Sequence, residues 1–389
     1  MVNMHSSIEL NSKFHEIPEE EYMDRVRSTQ AEMAREGYDL IIAWSDSYRM
    51  SNVRWLSNYR AFDGIFPYPA IVLVPLKGDP ILFVESSLTS IGAASVVKDV
   101  RGIRQDLGPV LDEYAASGNV KRVGIAGYKY MALEFWNVVQ KSLPDILIEP
   151  TVIIDVLKSI KSENEIRNMK VAGYLADLGI EAIKDAAREG ATEKELTKEA
   201  YLAMFANGSD TVAFDIMVQT GENSSDYYLA RPTDRKLKDG DTLLIDMGCR
   251  YNGYASDMAR GATFGSVSKE AQAMFDAALE AYETGFKYLR PGLTGEEASY
   301  PANEVLAKYG YIHSPGEGRG VGHGLGMDPE EELPILAPGM KSLLKENQTL
   351  AYVITLLIPG VGGLRIEDSV VIRKDGAESM TNFPYRNHW

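Results

Sequence analysis

The strongest constraint in this sequence is a change of texture part-way along it. Up to about residue 155, short apolar runs alternate with helix-like segments. Pro18–Glu36 has acids at its front and apolar positions at Tyr22, Val26 and Met33, the pattern of an amphipathic helix. Asp39–Trp44 (DLIIAW) reads as a buried strand, and Ala70–Pro75 and Pro80–Glu85 read as a hairpin. Arg122–Ala126 reads as a strand, Tyr128–Ser142 as a helix, and Ile146–Glu149 as a further strand. Such alternation predicts an α/β domain. The polar stretch Lys158-Ser-Ile-Lys-Ser-Glu-Asn-Glu165 follows, and the domain boundary is placed there, giving domains 1–157 and 158–389.

The second domain begins with long helices, Glu163–Glu189 and Thr192–Asn207. Thr192 is the N-cap of the second, with Glu195 at the capping-box position. After residue 210 the strand-like runs Ala213–Gln219, Thr242–Met247 and Leu364–Val371 are joined by glycine-rich turns. One long helix, Ser268–Leu289, is closed by Arg290-Pro-Gly. This half therefore reads as α+β rather than as alternating α/β.

The net charge of −16 opposes nucleic acid or an anionic membrane as the main partner. Cys249 is the one cysteine, so no intrachain disulfide can form. The first residues lack a basic region followed by an apolar stretch, and the longest apolar runs, such as Val353–Ile358, are too short to span a bilayer. A soluble, cytoplasmic enzyme is expected.

Four features in the second half carry chemistry. Asp246 ends the apolar run LLIDMG, and Asp257 lies eleven residues later in YNGYASDMAR. His323 sits among glycines in GVGHGLG, and Glu367 lies in GLRIEDSV. Carboxylates with one imidazole suit divalent Mn, Co, Fe or Zn. Flanking glycines let the backbone approach a crowded site.

The ordered segments GDTLLIDMG, YASDMARG, GVGHGLGM and GLRIEDSV resemble the signature blocks of the creatinase, prolidase and aminopeptidase P family. Leu157–Ile166 resembles that family's entry into its catalytic domain. The first domain is similar through its length, its alternation and the stretch SNVRWLSNY. The resemblance implies an α/β N-terminal domain followed by an α+β pita-bread catalytic domain. It also implies a homodimer and a site whose metal ligands are Asp246, Asp257, His323 and Glu367.

The family's pattern has five ligands, and counting from either side places Val353 at the position of the fourth in order, a glutamate. No acid lies between Glu346 and Glu367. A peptidase histidine of the pattern falls on Tyr228 or Leu229, and a second, after the GHG block, falls nearest Glu330. The candidate catalytic residues are therefore His323, Tyr228, Glu330 and Glu331, with Arg365 and Tyr254 as candidate substrate-binding residues. A site short of one ligand implies at most one tightly held ion. The expected function is a divergent hydrolase that cleaves a C–N bond in a small polar molecule. Three alternatives stay open: a lyase like those that cleave dimethylsulfoniopropionate, an Xaa-Pro peptidase, and a non-catalytic binding protein.

Overall fold

The computed structural model describes residues 16–60, 66–226, 231–311 and 320–389, which divide into two compact units, Ile17–Lys158 and Ser159–Trp389. In the first unit the strands are β1 (Leu40–Ser45), β2 (Ala70–Pro75), β3 (Ile81–Val84), β4 (Asp99–Gly102), β5 (Arg122–Ala126) and β6 (Leu147–Pro150). They form one sheet in the order β4-β3-β2-β1-β5-β6. β1 pairs antiparallel with β2 and parallel with β5. Its helices are α1 (Glu19–Glu36), α2 (Ser51–Ser57), α3 (Thr89–Gly92), α4 (Ile103–Ala116), α5 (Leu133–Ser142) and α6 (Ile153–Ser159). Leu40, Ile42, Ile71, Leu73 and Phe83 meet Leu107, Leu111 and Val139 in a common core. β1 and β2 are buried on both faces, which explains their unbroken apolar sequence.

The second unit opens with α7 (Glu163–Ala186) and α8 (Glu193–Ala206). Both carry full capping boxes, Ser162 with Glu165 and Thr192 with Glu195, so the first orphan N–H groups of each helix are satisfied locally. The strands follow: β7 (Thr211–Val212), β8 (Met217–Thr220), β9 (Thr242–Met247), β10 (Cys249–Tyr251), β11 (Tyr254–Ala255) and β12 (Met258–Thr263). Next come α9 (Lys269–Tyr288) and α10 (Gly295–Lys308). β13 (Gly322–Gly324), β14 (Glu331–Leu336), β15 (Thr349–Ile358), β16 (Gly362–Arg373) and β17 (Gly376–Ser379) complete the unit. The main sheet runs β14-β13-β15-β16-β12-β9-β8, with β17 on β16; a small sheet runs β11-β10-β7.

Two expectations are corrected here. The run 213–219 is not one strand. β7 pairs with β10 in the small sheet and β8 with β9 in the main one, so the chain turns between them to change sheets. Helix α5 starts at Leu133 rather than near Tyr128, because residues 127–130 form a turn with Gly127 at φ 81°.

Strand periodicity divides the main sheet into two faces. Leu350, Tyr352, Ile354 and Leu356 of β15 and Leu364, Ile366, Val370 and Ile372 of β16 pack with α9 and α10. Leu243, Ile245 and Met247 of β9 pack with α7 and α8. The intervening residues, among them Asp246, Val353, Arg365 and Glu367, face the other way. Among the described residues no helix is long and apolar enough to cross a membrane.

Candidate metal centre

Register brings the acidic residues together. Ala259 of β12 lies opposite Asp246 of β9 on one side and Glu367 of β16 on the other. Glu367 in turn lies opposite Val353 of β15. Directly opposed side chains share a face with Cβ atoms about 5 Å apart, so these strands hold Asp246, Glu367 and Val353 in one transverse row. Asp257, two residues before Ala259, and Arg365, two before Glu367, fall on the same face. His323 comes from β13, opposite Ala351. Gly324 is required beside it, since a Cβ there would lie 2.2 Å from the Leu333 carbonyl oxygen.

Asp257, His323 and Glu367 each offer a ligand atom within 4.8 Å of the others. His323 Nε2 is 3.7 Å from Asp257 Oδ2 and 3.8 Å from Glu367 Oε1. Its Nδ1 lies 3.2 Å from the Gly324 carbonyl oxygen. A proton on Nδ1 would donate to that carbonyl and leave the Nε2 lone pair facing the carboxylates, the tautomer a metal ligand needs. Asp246 stands outside this trio. Arg365 takes it, with Nη1 3.1 Å from Asp246 Oδ2, while its Nε donates to Glu367 Oε2 at 2.7 Å. Arg365, expected to bind substrate, therefore lines the pocket but spends its guanidinium on two of the expected metal ligands.

The electrostatics favour a cation. Asp246 Oδ1, Asp257 Oδ1 and Glu367 Oε1 are buried and have no hydrogen-bond partner among the described residues. A buried carboxylate oxygen without a donor is costly. Burial, with Glu367 beside it and against the pull of Arg365, pushes the Asp246 carboxyl up to about 7. Burial, then the neighbouring charges of Glu367 and Asp246, pushes Asp257 well above the usual carboxylate range. Three carboxylates face one guanidinium, leaving two negative charges that a proton relieves in part and one divalent ion balances. The donor set of Asp257, His323 and Glu367 thus fits one such ion. Opposite Glu367 in the same row stands Val353, 6% exposed and with no donor atom to give an ion.

A pocket of about 200 Å³ opens on this cluster, lined by Phe214, Met217, Asp246, Asp257, His323, Pro329, Glu330 and Arg365. Glu330 is exposed at its edge, as a group that exchanges protons with solvent should be. Glu331 is instead turned inward. Its carboxylate forms a 2.6 Å ion pair with Lys161, both side chains at most 2% exposed, and accepts from the Met327 N–H. It braces the loop after His323 and does not line the pocket. Tyr254, expected to touch substrate, is also turned away: it is 1% exposed and donates to Glu165 of the α7 cap at 3.0 Å. Tyr228 lies outside the described residues, as do Leu229 and His313.

Sequence reasoning overlooked Phe214, Met217, Pro329 and Lys161. Met217 lies directly opposite Asp246 in the β8–β9 pairing, a register that the sequence does not display. Lys161 had no readable signal either, since its partner lies 170 residues away.

The model of metallopeptidase family M24 matches residues 167–374. The chain belongs to this family. A creatinase/prolidase N-terminal domain matches residues 25–158, giving the order of an α/β domain followed by a pita-bread domain. An Xaa-Pro dipeptidase of Pyrococcus furiosus is 30% identical over 273 residues, covering 69% of this chain and 76% of its own length. An uncharacterized peptidase of Staphylococcus aureus (strain MSSA476) is 33% identical over 231 residues; the match spans 59% of this chain and 64% of that relative's length. Among solved structures, the dipeptidase PepE from Mycobacterium ulcerans superposes with a TM-score of 0.84 at 23% identity. It covers 96% of this chain and 98% of that one, a likeness of fold. Membership in a metallopeptidase family makes hydrolysis the family chemistry and a divalent ion the expected cofactor.

Proposed function

We propose that this M24 member is a hydrolase of a C–N bond in a small polar molecule, working with one tightly bound divalent ion held by Asp257, His323 and Glu367. One observation carries the reading. Val353 occupies the row position opposite Glu367, and Arg365 already pairs with one oxygen of Asp246 and one of Glu367. When bound, the ion supplies Lewis acidity to polarise the scissile carbonyl.

The chain's own residues supply the rest. Arg365 fixes Asp246 and Glu367 and balances part of their charge. His323, oriented through Gly324, presents Nε2 as the ligand that would hold the ion. Phe214, Met217 and Pro329 give the pocket an apolar wall that displaces water and strengthens polar interactions inside. Glu330 stands at the edge without a hydrogen-bond or ion-pair partner among the described residues, and it can pass a proton to a leaving nitrogen. Cleavage of Xaa-Pro dipeptides, the activity named for the Pyrococcus relative, is the second reading, favoured by that relative's match over 69% of this chain. The experiment is a substrate panel run with protein loaded with Mn or Co. Turnover of small amides or ureas, lost in His323→Ala and reduced in Glu330→Gln, supports the first reading. Turnover of Xaa-Pro dipeptides alone replaces it with the second.

A further inference from the structure

The pocket's charge distribution bears on which substrates it can take, and this step rests on the reading of that pocket as the active site. Among the described residues lining it, the cations are Arg365 and, when protonated, His323. Arg365 is already shared between Asp246 and Glu367. His323 faces Asp257 and Glu367. Neither is left to pair with an anionic group on a ligand. Against them stand Asp246, Asp257 and Glu330 in the lining, with Glu367 behind. Asp246, Asp257 and Glu367, at most 5% exposed, each keep an oxygen with no partner among the described residues. A divalent ion balances the inner carboxylates and leaves Glu330 at the edge uncompensated. The rest of the lining is Phe214, Met217 and Pro329, and an aromatic ring with a soft thioether accepts the alkyl body of an organic cation. A volume of about 200 Å³ admits only a compact molecule.

We infer that the pocket selects a small organic cation, an alkylammonium or alkylguanidinium with its charged end toward Glu330, and discriminates against ligands that bear a free carboxylate. A carboxylate entering this site meets Glu330 and, among the described lining residues, no side-chain cation left to pair with it, while a bound ion's charge is already balanced by the inner carboxylates, so like-charge repulsion opposes it. On this account the chain is a poor binder of free dipeptides, whose C-terminal carboxylate has to be placed somewhere in the pocket.

The test uses the full chain and three probes of matched size: propylguanidinium, butyramide and butyrate. Binding is followed by isothermal titration calorimetry up to about 10 mM, where weak millimolar affinity still registers. Each titration is run on chelator-treated protein and again with saturating Mn. Propylguanidinium should bind in the Mn-loaded state, butyramide more weakly, and butyrate not at all. Glu330→Gln should weaken propylguanidinium about 2–5-fold, the range of one exposed charge pair. Glu283→Gln, which removes a remote charge from α9, should leave it unchanged, and melting curves confirm that both variants are folded. Butyrate binding as tightly as propylguanidinium, no probe binding in either state, or equal effects of the two variants would each overturn the inference. Metal content measured on the same samples reports separately on the one-ion reading. Cation binding to protein that takes up no metal leaves the inference standing and removes that reading.

Discussion

Val353→Glu restores the residue type that the family pattern places in this row, and its consequences can be worked from the register. Val353 lies directly opposite Glu367, which is fully buried and keeps one oxygen without a donor. A second carboxylate about 5 Å away adds like charge to a site that already carries an excess of it. Without metal, the variant should lose about 3–5 kcal/mol, the scale of an uncompensated buried charge, unless the new group holds a proton. With metal part of that loss is recovered. An ion at a hundred times its Kd stabilises the folded state by about 2.7 kcal/mol. If the added ligand is worth tenfold in affinity, wild type at the same ion concentration gains about 1.4 kcal/mol. For a unit the size of Ser159–Trp389, each kcal/mol moves the melting temperature about 2–4 °C. The variant should therefore melt lower than wild type in chelator and recover by about 5–10 °C with Mn or Co, roughly twice the wild-type shift. Differential scanning calorimetry of both proteins with and without ion measures this. Equal ion-induced shifts would place residue 353 outside the site and refute the register argument.

Lys161→Met should cost about 3–5 kcal/mol, because it strands the buried Glu331 carboxylate, and a Glu331→Gln change added to it should recover part of that loss; urea midpoints report both. Asp177 accepts from the backbone N–H groups of Asn382 and Phe383, and burial, opposed by Arg260 and those N–H groups, raises its carboxyl to about 7 from 3.8. A raised folded-state pKa makes this group's contribution complete below about pH 4 and lost as pH climbs through 7, so Asp177→Asn should flatten the fall in melting temperature over that window by up to about 4 kcal/mol of stability. A homodimer is proposed, and sedimentation velocity at micromolar concentration should find a species of twice the chain mass; a monomer throughout the concentration range contradicts it.

Much of the fold was legible because local signals agreed with tertiary placement. β2, β5 and β9 match their apolar runs residue for residue, and the cap at Thr192 stands where side-chain chemistry put it. Helices α4 and α10 have no counterpart in the sequence reading. Each contains an internal proline, Pro109 and Pro301, and in each packing overrides the propensity penalty. The site was legible in part. Motif order gives the four polar residues and the substitution at Val353, since both depend on spacing along the strands. The fates of Arg365, Glu331 and Tyr254 were not, because each is decided by a partner: Arg365 by Asp246 119 positions away on β9, Glu331 by Lys161 and Tyr254 by Glu165. An arginine two residues from a metal ligand reads as free to bind substrate until the neighbouring strand supplies its counter-ion.

We propose that Arg365 and Val353 together leave room for one ion. Elemental analysis after saturation with Mn or Co and exhaustive gel filtration tests it most directly. The account predicts one ion per chain, lost in His323→Ala. Two ions retained per chain after gel filtration would contradict it.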